Sequence, residues 1–94
     1  MRVRWSEDAA DDLSDIVKYI RKDDREIARQ VAKSIYESAN ALKNLPFRGR
    51  TGRVAGTREL PLPPLPFILV YRVSGAALEI VNILHGAQLW PPAD

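Results

Sequence analysis

Cysteine is absent from this chain of 94 residues, and histidine occurs once, at position 85. Disulfide stapling and thiolate metal sites are thereby excluded, and with one histidine and no cysteine a zinc site is not expected. The expectation is a chain without metal or cofactor, at home in a reducing cytoplasm. No apolar run reaches the length of a membrane span, and the N-terminus lacks the pattern of a signal peptide, so no membrane role is expected. Strong net charge is missing too. The formal balance is only +2, so any case for an anionic partner has to come from local clustering. Apolar residues make up 46% and charged residues 28%, a globular rather than a disordered balance. The length suits one domain, 1–94, and there are no internal repeats or low-complexity tracts.

Local periodicity divides the chain into elements. Arg2-Val3-Arg4-Trp5 alternates polar and apolar residues, the period of a half-buried strand, with Trp5 in the core. Ser6 offers an N-cap hydroxyl, and Leu13, Ile16, Val17 and Ile20 form one helical stripe. Acidic residues come early in this stretch and Lys18, Arg21 and Lys22 late, as a helix dipole favours. The pattern predicts a helix over about 7–22. Asp23 or Asp24 caps a second helix with Ala28, Val31, Ile35, Ala39 and Leu42 as its buried stripe, stopped by Pro46. The tight connection makes the pair an antiparallel hairpin.

The second half supplies a sheet for the helices to cover. Residues 57–62 read as a short strand, curtailed by Pro61, Pro63, Pro64 and Pro66. Phe67 to Val73 is rich in β-branched and aromatic residues, and residues 77–84 return antiparallel. A two-residue turn at Ser74-Gly75 would set Tyr71 opposite Leu78, Val70 opposite Glu79 and Leu69 opposite Ile80. The expected fold is α+β, in the order β-α-α-β-β-β: a helix hairpin packed on a small, mostly antiparallel sheet.

Residues that could carry chemistry are few. Between Gly49 and Leu60, glycines alternate with arginines in one loop, without the strand-turn-helix setting or lysine of a phosphate-cradling loop. Arg48, Arg50 and Arg53 in this region are candidates for binding a nucleic acid or other target, the alternative being solvated loop charges. Arg58, Arg72 and His85 lie on the following strands. Guanidinium groups can neutralise phosphate oxygens, and a histidine with a pKa of about 6.5 can move protons, so these three are the candidate catalytic set for metal-independent RNA cleavage. The plainer role for Arg72 is a cross-strand pair with Glu79. Trp90, before Pro91, reads as a packed C-terminal anchor.

Taken together, these residues resemble the RelE/ParE toxin superfamily. The resemblance rests on Trp5-Ser6-x-x-Ala9 with Asp12-Leu13-x-x-Ile16 and Tyr19-Ile20. It continues through Pro46-x-x-Gly49-Arg50-x-Gly52-Arg53-Val54-x-Gly56-Thr57-Arg58-Glu59-Leu60 and Val70-Tyr71-Arg72-Val73. It ends on His85-Gly86-Ala87-Gln88-x-Trp90-Pro91. It implies the toxin of a type II toxin–antitoxin pair, which arrests bacterial growth and forms a hetero-oligomer with a cognate antitoxin. RelE-like members cut messenger RNA on the ribosome, whereas ParE-like members poison DNA gyrase and are not nucleases. Arg58, Arg72 and His85 tilt the expectation toward RNA cleavage. The lysines common around this loop in the nucleases are replaced by arginines here, and Gln88, Leu89 and Trp90 stand near the C-terminus. A non-catalytic protein-binding module is a further alternative.

Overall fold

The computed structural model of the chain describes residues 1–86, 90 and 91. Its elements are β1 (Arg2–Trp5), α1 (Glu7–Arg21), α2 (Arg25–Ala41), β2 (Arg50–Thr51), β3 (Arg58–Pro61), β4 (Phe67–Ser74) and β5 (Ala77–His85). The strands form one sheet in the order β1-β5-β4-β3-β2, antiparallel except where β1 runs parallel to β5. The expected α+β fold is therefore observed, with the two-residue β2 as an added edge. No helix among the described residues is long and apolar enough to cross a membrane.

Both helices begin as the sequence dictates. The Ser6 hydroxyl accepts from the Ala9 N–H at 3.0 Å, and the Asp24 carboxylate accepts from the Ile27 N–H at 3.0 Å. On α2 the whole expected stripe is buried, from Ala28 to Leu42. This helix ends at Ala41, ahead of Pro46, because successive turns from Leu42 onward carry the chain away first. On α1 only Ala9 is fully buried; Leu13, Ile16 and Ile20 touch the core with part of their surface still open. Trp5 is likewise half-buried, stacked on Tyr36 with ring centroids 6.2 Å apart.

The β4–β5 register differs from the expected one. The turn residues are Gly75 and Ala76, between paired Ser74 and Ala77, so Tyr71 faces Ile80 and Val73 faces Leu78. Gly75 takes φ +58°, the positive value that the first central position of a type II′ hairpin turn demands and that a serine would resist. A bulge then shifts the pairing again. Tyr71 faces Ile80 but Val70 faces Asn82 and Leu69 faces Ile83, which leaves Val81 without a partner on β4.

The start of α1 satisfies this irregular edge. Ser6, besides capping the helix, donates its hydroxyl to the Val81 carbonyl at 2.7 Å. The Asp12 carboxylate accepts from the Ile83 N–H at 2.8 Å and the Asn82 side-chain amide at 3.1 Å. Asp12 thus fastens α1 to the bulged strand. Asp12→Ala is expected to cost about 1–3 kcal/mol in unfolding free energy, because it strands a backbone donor beside the core. A lower denaturant midpoint at unchanged slope would register that loss.

Candidate functional site

Strand alternation sorts the candidate residues onto two faces. Leu60, Leu69, Tyr71, Leu78 and Ile80 point into the core beneath the helices. Their neighbours Glu59, Val70, Arg72 and Glu79 therefore occupy the helix-free face. Arg50 and Arg4, paired with Glu59 and Glu79 across the ladder, share that face.

Glu59 organises the arginine loop. Its side chain is 1% exposed and receives the Arg53 backbone N–H at 2.9 Å, Arg53 Nε at 3.1 Å and Arg53 Nη2 at 3.1 Å. Arg50 Nη2 adds a longer contact at 3.4 Å. Burial by itself pushes the Glu59 pKa up, but the Arg53 side chain and backbone, with Arg50, overcome it and hold the carboxyl below its ordinary 4.5. Arg50 and Arg53, candidates for contacting an external anion, are thus gathered on an internal one.

Arg58 turns to the other side. Its Nη1 donates to the carbonyls of Gly49 at 2.8 Å and Phe47 at 3.4 Å, and its Cζ stands 4.9 Å from the centroid of the Phe47 ring. The same linker is pinned where the Gly49 N–H donates to the Tyr71 hydroxyl at 2.8 Å. A Cβ on Gly49 would lie 2.7 Å from that hydroxyl, so only glycine lets the backbone come so close. Arg48 stands exposed on this linker.

Arg72 and His85 lie far apart. Arg72 sits directly opposite Glu79, with Nε 3.4 Å from the carboxylate. The cross-strand pair suggested by the sequence exists, although as a direct rather than a diagonal neighbour. His85 pairs with Phe67 at the far end of β4, ring centroids 6.0 Å apart and edge to face. Five strand positions separate the two pairs, roughly 17 Å. The bulge also places His85 on the Ile83 face, beneath α1. The structure therefore does not bring Arg58, Arg72 and His85 to one point.

A groove opens beside α1 instead. It has a volume of about 370 Å³ and is lined by Asp12, Asp15, Ile16, Tyr19 and Ile20 of α1 with Phe67, Ile83 and His85 of the sheet. Tyr19 is 72% exposed. The incomplete burial of Ile16 and Ile20 has its cause here, since the stripe of α1 is wider than the sheet beneath it.

The sequence family model for the ParE toxin of the parDE type II toxin–antitoxin system matches residues 3–90. The chain belongs to the ParE toxin family. Y4kP of Sinorhizobium fredii, assigned as a toxin, is 41% identical over 96% of this chain and 93% of its own length. Toxin RelE2 of Caulobacter vibrioides is 34% identical over 94% of this chain and 98% of its own. A chain of the chromosomal ParDE system of P. aeruginosa superposes with a TM-score of 0.83 at 31% identity, covering 90% of this chain and 95% of that one. YafQ from E. coli shares the fold, with a TM-score of 0.61 at 19% identity over 93% of this chain and 96% of that one.

Two features of this ParE-family toxin escaped the sequence reading. Glu59 enters the sequence pattern only within the family motif, although it is the first carboxylate after five cations in residues 43–58. That isolation is the signal that it serves them. The groove depends on how far the sheet extends beneath α1, which the helical stripe alone does not encode. Ala87 and Gln88 of the C-terminal motif, with Leu89 beside them, lie outside the described residues, and Trp90 is half-buried.

Proposed function

We propose that this toxin arrests growth by acting on DNA gyrase without cutting nucleic acid, and that a cognate antitoxin neutralises it by laying an amphipathic segment into the α1 groove. The observation that carries the first part is the separation of Arg58, Arg72 and His85. RNA cleavage without metal needs its charge-stabilising and proton-moving groups around one phosphate, each typically within about 3 Å of its reacting atom. Here Arg58 is engaged with backbone carbonyls, Arg72 with Glu79, and His85 stands on the opposite face from Arg72. The likeness to a ParDE chain at a TM-score of 0.83 supports the same reading. The groove supports the second part: its apolar floor suits a helix with anchors at i and i+3 or i+4, and Asp15 on its rim favours a basic residue beside them.

Pulse labelling just after induction separates the activities. DNA synthesis is expected to fall first while translation continues, and the purified toxin should inhibit supercoiling with no ribosomes present. The double variant Arg72→Ala/His85→Ala should stay toxic. In a nuclease, the loss of even one charge-stabilising donor typically costs about a hundredfold in rate. Translation stopping first, with messages cut within codons, would refute this reading.

A further inference from the structure

The linker between α2 and β2 carries two large apolar side chains in water, Leu45 at 62% exposure and Phe47 at 64%. Neither belongs to the core or to the α1 groove, and Pro46 between them adds to the patch. Exposed aromatics on a loop are normally free to move. Phe47 is not, because one guanidinium fixes both its backbone and its ring. Arg58 Nη1 holds the Phe47 and Gly49 carbonyls while its Cζ lies over the ring, and Tyr71 ties down the Gly49 N–H. A side chain held in place before contact loses little entropy on binding, which is the property of an interface anchor.

The surrounding charge selects the partner. From Lys43 to Arg58 the chain has five cations, Lys43, Arg48, Arg50, Arg53 and Arg58, and no carboxylate. Arg50 and Arg53 share the one carboxylate of Glu59, and Arg58 keeps its charge while donating to carbonyls, so the surface stays basic, with Lys43 and Arg48 outside those contacts. Nucleic-acid affinity comes mainly from phosphate contacts, which an apolar centre of Leu45 and Phe47 does not make. Two exposed apolar anchors within a basic surround match a protein pocket bordered by carboxylates.

We propose that Leu45 and Phe47, held by Arg58 and rimmed by Lys43 and Arg48, form a second protein-docking surface that engages the toxin's target protein and not its antitoxin. Its identification with a gyrase contact and its separation from the antitoxin both rest on the function proposed above. Arg58 is then a positioning residue that acts through Phe47.

The test compares the wild type with Leu45→Ser/Phe47→Ser and with Lys43→Glu/Arg48→Glu. All four side chains sit at exposed positions, and thermal melts confirm that the variants fold. Both variants should lose growth arrest, and inhibition of purified gyrase should weaken by about tenfold or more, while antitoxin affinity stays within about twofold. Arg58→Lys, which keeps the charge but not the planar fork, should give an intermediate loss without moving antitoxin affinity. Undiminished growth arrest by the folded Leu45→Ser/Phe47→Ser variant overturns the proposal. So does an equal loss of antitoxin binding, which would make the patch part of that interface. Binding of a fluorescein-labelled single-stranded oligonucleotide by the wild type, abolished in the serine variant, would assign it to nucleic acid instead. If the wild type fails to inhibit gyrase, the target reading above falls, and growth arrest with antitoxin binding still decides whether the patch is a target surface.

Discussion

Glu59→Ala is expected to lower the unfolding free energy by about 1–3 kcal/mol, the usual cost of leaving a buried donor without its acceptor, since both arginines left behind are half exposed. Several losses combine at this position. The Arg53 backbone N–H loses its acceptor, two guanidinium groups lose the charge that gathers them, and a cavity opens beneath the loop. Glu59→Gln keeps the volume and one acceptor, so its loss should be smaller. Acid supplies an independent measurement. The folded-state pKa of Glu59 lies below 4.5, so its contribution is complete above that value and vanishes as pH falls through the folded pKa. Stability of the wild type should therefore decline below about pH 4.5 more steeply than that of Glu59→Gln, which lacks this carboxyl. Parallel acid curves for the two proteins would contradict the role given to Glu59.

The helices were legible because each carries its own signals. Ser6 and Asp24 mark the starts, and the stripe from Ala28 to Leu42 marks the buried side, all within one turn or two of the residues they govern. The β4–β5 register was not legible, since it depends on which residue takes the positive φ and on a bulge that no local pattern announces. Its consequence reached the candidate site. Along a regular strand, His85 would share a face with Glu79 and therefore with Arg72. The unpaired Val81 inverts the alternation, so Ile83 points into the core with Leu78 and Ile80, and His85 goes with it. Grouping Arg72 with His85 was thus reasonable for an unbroken ladder and fails at one residue. Arg58 is a different case. Its alternation with Glu59 put it on the Leu60 side, but its engagement with the linker depends on how the chain returns from α2, a tertiary matter that sequence spacing does not encode.

Asp15→Lys/Tyr19→Ala is expected to weaken antitoxin binding by about a hundredfold while leaving growth arrest and folding intact. Tyr19 is 72% exposed and Asp15 is also exposed, so neither substitution removes core packing. Tyr19 offers the largest accessible apolar surface in the groove beside Ile16, Ile20 and Phe67, and a hot-spot aromatic typically contributes about 2 kcal/mol or more. Reversing Asp15 sets a cation against the basic residue expected on the antitoxin segment, adding repulsion where there was attraction. Asp12 is the wrong choice for this experiment, because its carboxylate holds Ile83 and Asn82 and its loss would destabilise the fold itself. Cells expressing the variant should remain arrested when the antitoxin is co-expressed, whereas the wild type is rescued. Titration calorimetry of the purified pair supplies the affinity directly. Full rescue with unchanged affinity would move the antitoxin out of the α1 groove and leave that surface without an assigned partner.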